Sequence, residues 1–314
     1  RILGFARAAA SAKAVRRSAI GVVGRPNLGM LDITYSEFHV RQLAPGIQFL
    51  DSVELLDEFQ RVDEKEAERV AAEVSRRVGR IEVPPLEVIK AAKSYLAVKS
   101  LVRKYRLDGI TLREWPEMGV HGFTLGLPAA LLNDEGIICV QESDVPTTIA
   151  AIALLRLTGQ AAYVGEIGSV DVERNALVLF HEGATPFSLA TRFGDITLTY
   201  NRVSVERYTG KKEGVSVESV LKPGKVTIMK LSGRPVKDSL RMIMTGGKAV
   251  APFAPQVGGA GMAYIKLECN VEKFLEAWMH GGFEHHMIIA YGDLTEELKM
   301  LADMLGVEKV LVSG

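Results

Sequence analysis

Cysteine is scarce: the 314-residue chain has two, Cys139 and Cys269. Both sit in apolar, strand-like runs, Ile137-Ile138-Cys139-Val140 and Ile265-Lys266-Leu267-Glu268-Cys269. Buried reduced thiols are expected there rather than a disulfide framework, and with them a reducing, cytoplasmic setting. Net charge is also absent. Lys plus Arg number 38, as do Asp plus Glu, which leaves no field to gather a nucleic acid or an anionic membrane surface. No apolar run is long either. Ile149 to Leu155 is closed by Arg156, far short of the roughly 20 residues that a membrane helix needs.

The remaining composition, 47 % apolar and 24 % charged, is that of a globular protein. At roughly 100–200 residues per domain the length predicts two domains. The first segment carries Arg1, Arg7, Lys13, Arg16 and Arg17 around small residues, with no continuous apolar core. It reads as a helix and not as a signal peptide. Because the chain opens on Arg, an internal piece of a longer polypeptide is expected.

From Ser18 to about Gly159 short apolar runs alternate with long amphipathic stretches, which predicts an open, mostly parallel sheet flanked by helices. Strands are expected at 19–24, 48–50, 110–112 and 137–140. Helices are expected from Asp63, from Pro84-Pro85 and from Asp144 to Leu157. Beyond Gly183 the pattern switches to period two, in Ile196 to Tyr200, Val203 to Tyr208, Val215 to Leu221, Val226 to Leu231, Leu240 to Met244 and Met262 to Cys269. Such runs between Gly- and Pro-bearing turns predict antiparallel strands in a barrel-like C-terminal domain. They also exclude eight strand–helix units of a TIM barrel. The expected division is an α/β domain over 1–172 and a mainly β domain over 173–314, the latter closing with α/β elements.

Polar groups at the carboxyl ends of strands are the candidates for chemistry, because open α/β sheets bind ligands there. Glu142 follows the strand at 137–140, with Asp144 opening the next helix. Glu166 follows Ala161-Ala162-Tyr163-Val164, and a parallel pairing of the two strands would bring both carboxylates to one crevice. His181 follows Leu177-Val178-Leu179-Phe180, and His285-His286 enter the strand at 287–290 from a Gly281-Gly282 turn. Two carboxylates with imidazoles make a mixed oxygen and nitrogen donor set, suited to Mn²⁺, Co²⁺, Fe²⁺ or Zn²⁺ more than to Ca²⁺. Trp115 and His121, beyond the strand at 110–112, could line a pocket. Each residue alone has a plainer reading: a strand-end Glu also caps helices, and a Trp also fills cores. Gly21 to Gly29 lacks dinucleotide spacing, and Ser11, Ser188 and Ser239 lack a G-x-S-x-G elbow.

Taken in order, Cys139-Val140-Gln141-Glu142-Ser143-Asp144-Val145, Gly165-Glu166, Leu179-Phe180-His181-Glu182-Gly183-Ala184-Thr185-Pro186 and His285-His286 resemble the L-fucose isomerase and L-arabinose isomerase superfamily. Tyr291-Gly292-Asp293, Leu305-Gly306-Val307, Asp108-Gly109-Ile110 and Trp115-Pro116-Glu117 fit the same likeness. The resemblance implies a divalent ion, usually Mn²⁺, with Co²⁺ or Mg²⁺ as alternatives, held by Glu142, by Glu166 24 residues later, and by one of His285 and His286. Only one of the two should be a ligand, because neighbours on a strand point opposite ways, and His286 is favoured. His181 would be the extra ligand of the arabinose-type enzymes. The implied chemistry is aldose–ketose isomerisation of a pentose or 6-deoxyhexose (L-fucose, D-arabinose or L-arabinose type) through a cis-enediol. Glu142 and Glu166 would move the proton, and Trp115, His121, Asp144 and His181 would contact the sugar. A homo-oligomer, trimeric or hexameric, is implied as well. The family's additional N-terminal domain has no counterpart here, so a fragment or a non-catalytic sugar-binding protein is the alternative expectation.

Overall fold

The computed structural model describes residues 2–312 except 27–28, 44–45, 115–117, 207–209 and 234–238, and omits the side chains of Val120, Val203 and Ser204. The chain begins with helix α1 (Ile2–Arg17), strand β1 (Ala19–Val23), α2 (Glu37–Arg41), β2 (Gly46–Leu50), α3 (Ser52–Arg61), α4 (Glu64–Arg77) and the two-residue strand β3 (Arg80–Ile81). There follow α5 (Pro85–Tyr105), β4 (Gly109–Leu112), α6 (Gly126–Asp134), β5 (Ile138–Gln141) and α7 (Val145–Thr158). Strands β2, β1, β4 and β5 form a wholly parallel four-stranded sheet in that order. Strand order reverses between β1 and β4, and all four carboxyl ends share one edge. That edge is where such sheets bind ligands.

Local sequence explains the helices. Asp63 caps α4 by accepting from the Glu66 amide at 2.9 Å, and the acidic first turn and basic last turn, Arg76-Arg77, match the helix dipole. Pro85 opens α5, where its missing N–H is harmless. Helix α7 starts on the Asp144 cap and stops at Gly159, whose φ of 71° favours a residue without a side chain.

The second half contributes β6 (Tyr163–Asp171), β7 (Ala176–His181), β8 (Thr197–Thr199), β9 (Ser216–Val220), β10 (Gly224–Gly233), β11 (Leu240–Ala249) and β12 (Gly261–Leu267). It ends with α8 (Val271–Gly281), β13 (Met287–Tyr291), α9 (Thr295–Leu305) and β14 (Glu308–Leu311). These strands form a ten-stranded, mostly antiparallel sheet in the order β14-β11-β10-β13-β6-β7-β12-β9-β8-β3, and a further pairing of β11 with β12 bends it into a partial ring. The expected fold class, a parallel α/β sheet followed by a mainly antiparallel barrel-like unit, is what the chain adopts. Strand β3 comes from the first half yet pairs with β8, so the two halves of the chain are stitched together.

Helix α7 lies between the sheets. Val145, Ile149, Ile152 and Leu154 pack in one core with Ile20, Val22 and Val140 of the parallel sheet and Met229, Leu231, Met244 and Ile288 of the other. An apolar helix that is buried all round needs no membrane, and no described helix is long and apolar enough to cross one.

Two expectations are corrected. The strand carrying Glu166 is not a parallel neighbour of β5: β6 runs antiparallel to β7 and β13 in the second sheet. The far face of α7 is covered by that sheet, so the chain leaving α7 pairs there, and a short apolar run fits either sheet equally well. The expected strand from Val203 also fails. Arg202–Glu206 is a π-helical turn, closed by the Glu206 amide donating to the Asn201 carbonyl at 2.9 Å. The rest of that expected strand, 207–208, lies outside the described residues.

Candidate metal centre

The carboxyl edge of the parallel sheet meets the ring of the second sheet at Glu142. Strand β5 ends at Gln141, and the tight turn into α7 puts Glu142 and Ser143 at φ 67° and 58°. Two consecutive non-glycine residues in the left-handed region carry strain of about 1–2 kcal/mol each. Three contacts hold the turn: the Glu142 amide donates to Glu114 Oε2 at 3.4 Å, Ser143 Oγ donates to the Val23 carbonyl at 3.2 Å, and Asp144 caps α7 through the Thr147 amide at 2.9 Å. The second sheet supplies His181, the last residue of β7, and His286, which leads into β13.

Ligand atoms of Glu142, His181 and His286 lie within 4.8 Å of one another, all three residues buried. The Nε2 atoms of His181 and His286 stand 3.0 Å apart, and Glu142 Oε2 is 3.3 Å from His286 Nε2. Glu142 Oε2 and His181 Nδ1 are buried without a hydrogen bond among the described residues, a state that normally costs about 1–3 kcal/mol per group. A divalent cation fits this arrangement. It would satisfy the carboxylate, and one carboxylate with two imidazoles is a familiar donor set for a transition metal with open positions.

The surroundings fix the charges. Burial opposes ionisation of Glu142, but His286, then His285 and His181, hold its carboxyl well below the usual range. Burial, followed by the charge on His286, pushes the His181 imidazole down to about 3, so it is a neutral donor. Burial works against a charged His286 as well, yet Glu142 and Asp144 more than offset it and raise its pKa. His285 Nε2 is 3.5 Å from Glu142 Oε2, but its Nδ1 pairs with Asp32 Oδ2 at 2.6 Å and its amide donates to the same oxygen at 3.1 Å. Despite burial, the Asp32 and Glu142 carboxylates push His285 up to about 10.

The remaining residues singled out from the sequence fall in different places. Glu166 lies within β6 opposite Phe180, only partly buried and outside the converging triad. Burial raises its carboxyl, Glu142 and Asp32 add to that, and His285 and His286 oppose it. Asp144, read as a sugar contact, has its carboxylate enclosed by Thr147, His286 and Lys230. His121 is exposed at the end of a 3₁₀ turn, Gly119–His121. Trp115 lies outside the described residues.

Three residues near the centre carry no sequence motif: Asp32, Glu114 and Lys230. Glu114 lies two residues past β4 and accepts from Gln141 Nε2 at 2.9 Å. Burial, then the charges of Glu182 and Glu142, hold its carboxyl well above the usual range. Its signal was the rule already applied to Glu142, a carboxylate just beyond an apolar strand. Lys230 breaks the apolar run Val226 to Leu231, and a buried Lys is rare unless paired. Asp32 sits in the loop after β1, beside a cleft of about 420 Å³ lined by Gly24, Arg25, Leu31, Thr34, Tyr35 and Phe49.

With this geometry in view, the comparisons with known proteins bear on chemistry. No protein-family model matches the chain. Sulfoquinovose isomerases of Priestia aryabhattai and Priestia megaterium are 28 % identical over 301 residues, covering 94 % of this chain and 65 % of theirs. That of Alkalicoccus urumqiensis is 26 % identical over 268 residues, 84 % of this chain and 58 % of its own. The chain is a distant relative of sugar isomerases. It spans just under two thirds of the length of the Priestia relatives. The expected likeness to aldose isomerases thus recurs at the level of sugar isomerases, and the sugar in these relatives' names is sulfoquinovose rather than fucose or arabinose.

Proposed function

We propose that this chain carries the metal-dependent active site of an aldose–ketose isomerase. The observation that carries the reading is the convergence of Glu142, His181 and His286 on a buried point, with Glu142 Oε2 lacking a hydrogen bond, in a chain similar to sugar isomerases over 94 % of its length. Those three residues would hold the ion, expected to be Mn²⁺, with Co²⁺ or Mg²⁺ able to substitute. When bound, the ion supplies positive charge beside the carbonyl carbon and favours loss of the neighbouring proton.

Glu166 is suited to carry that proton. It stands outside the triad and feels the charges of Glu142, His285 and His286. Burial raises its carboxyl toward neutrality, which favours both taking and returning a proton. In the aldose-to-ketose direction it takes the proton from C2. An enediol results as O1 gains a proton, and the ketose forms when O2 releases its proton and C1 receives one. Neutral His181 and the hydrogen-bonded pair His285–Asp32 flank the carboxylate that the reaction needs ionised, Glu142. Sulfoquinovose, the sugar in the relatives' names, is the first candidate substrate, with the 6-deoxyhexoses and pentoses after it. The protein would work as a homo-oligomer in the cytoplasm.

The test is ketose formation from sulfoquinovose, L-fucose, D-arabinose and L-arabinose by EDTA-treated protein, with and without added Mn²⁺. Turnover of at least one sugar, restored by the ion, is expected. Binding of Mn²⁺ without turnover of any of them would overturn the reading in favour of a sugar-binding protein or an ion that merely ties the sheets together.

A further inference from the structure

Lys230 is an unusual resident of a protein interior. It lies in the middle of β10, opposite Ile243 of β11, with a side chain 1 % exposed. Its ammonium donates to Thr147 Oγ1 at 2.9 Å and to Asp144 Oδ2 at 3.1 Å, and Glu284 Oε2 is 3.7 Å away. Thr147 and Asp144 belong to the first turn and cap of α7, in the other structural layer, and Glu284 belongs to the segment that ends in His285-His286. One buried cation therefore joins three elements beneath the candidate metal centre.

The chain of contacts continues in one direction. Asp144 Oδ1 accepts from the Thr147 amide at 2.9 Å, and Oδ2 accepts from Thr147 Oγ1 at 2.6 Å, from Lys230 and from His286 Nδ1 at 2.9 Å. Thr147 and Lys230 both donate, so the carboxylate serves as an acceptor, and Nδ1 of His286, which faces the same Oδ2, must carry a hydrogen. The opposite ring nitrogen, Nε2, is the one that faces His181 Nε2 and Glu142 Oε2. A histidine whose far nitrogen is bonded to an anchored carboxylate is fixed in both ring orientation and tautomer.

We propose that Lys230 is the positioning residue of the metal centre: by anchoring Asp144 it orients His286 so that the Nε2 lone pair points at the ion. Lys230 touches neither the ion nor the substrate. The inference rests on the metal-site reading, and it concerns how that site is kept in shape rather than which sugar it serves. Without Lys230 the Asp144 carboxylate loses its cation and its cross-layer tether, and His286 is free to turn or to place its hydrogen on Nε2.

The experiment uses the full chain and Mn²⁺ alone, with no sugar. Calorimetric titration of EDTA-stripped protein measures ion affinity. Long-range ¹⁵N–¹H spectra of histidine-labelled, ion-free protein read the His286 tautomer, assigned by its disappearance in His286→Gln. At a pH high enough to keep the His286 ring neutral, wild-type protein is expected to show the Nδ1–H form. Lys230→Met is expected to weaken Mn²⁺ binding about 10- to 100-fold, the usual effect of losing an outer partner, and to shift or broaden the His286 signal toward the Nε2–H form. Lys230→Gln, which keeps a donor and similar bulk, replaces it if the Met variant does not fold, with the same expectation. Unchanged affinity and an unchanged His286 signal in the folded variant would overturn the proposal, as would an Nε2–H tautomer in the wild type. Failure of the isomerase reading would leave both readouts intact, so the two outcomes are distinguishable.

Discussion

Glu142→Gln is expected to remove ion binding and turnover together, whereas Glu166→Gln is expected to remove turnover and leave ion binding in place. Glu142 supplies the only carboxylate in the converging triad among the described residues. Its conversion to an amide leaves two imidazoles and no negative ligand, so Mn²⁺ affinity should fall by more than about 100-fold, beyond the cost of an outer partner. Glu166 lies outside the triad on β6. Loss of its proton transfer should lower kcat by about 10²- to 10⁴-fold while calorimetry records near-native Mn²⁺ affinity. Both variants should still fold, because neither carboxylate packs an apolar core. A Glu166→Gln variant with native kcat would remove Glu166 from the mechanism. One that lost the ion would make it a ligand instead.

The second large effect is on stability, at Gly183→Ala. Gly183 lies two residues past His181, the end of β7, with φ 62°, and an added Cβ would fall on the Ser216 side chain, 2.5 Å from its Oγ and 2.7 Å from its Cα. Left-handed backbone costs an alanine about 1–2 kcal/mol, and forcing a methyl into a filled space adds about 1–3 kcal/mol. A loss of roughly 2–5 kcal/mol should lower Tm by roughly 3–8 °C. The crowding also presses on the strand end that carries His181, so weaker Mn²⁺ binding should accompany it. A thermal melt within about one degree of the wild type would show that Ser216 yields freely and that the turn is not tightly packed.

The parallel sheet was readable because each of its strands is a short apolar run followed by a long helix with caps the sequence advertises, such as Asp63 and Asp144. The antiparallel ring was readable from period-two alternation at Val215 to Leu221 and Met262 to Cys269. The allegiance of β6 was hidden, since Tyr163-Val164 has the same apolar character whichever sheet it joins, and the deciding fact is the burial of α7 on both faces. At the centre, Glu142, His181 and His286 announce themselves as polar groups at strand ends. Lys230 does not, because its meaning depends on Asp144, 86 residues away in sequence and across a layer. Asp32 is equally silent: it acts through His285, 253 residues distant, and no local pattern records such a pairing.

The most direct test of the account titrates Mn²⁺ into ion-free protein and follows occupancy and ketose formation from sulfoquinovose in the same samples. The account predicts one tightly bound ion per chain, turnover that rises in proportion to occupancy and saturates at one equivalent, and loss of both in Glu142→Gln. Turnover that persists after the ion is stripped, or full occupancy with no ketose from any sugar of the panel, would contradict it.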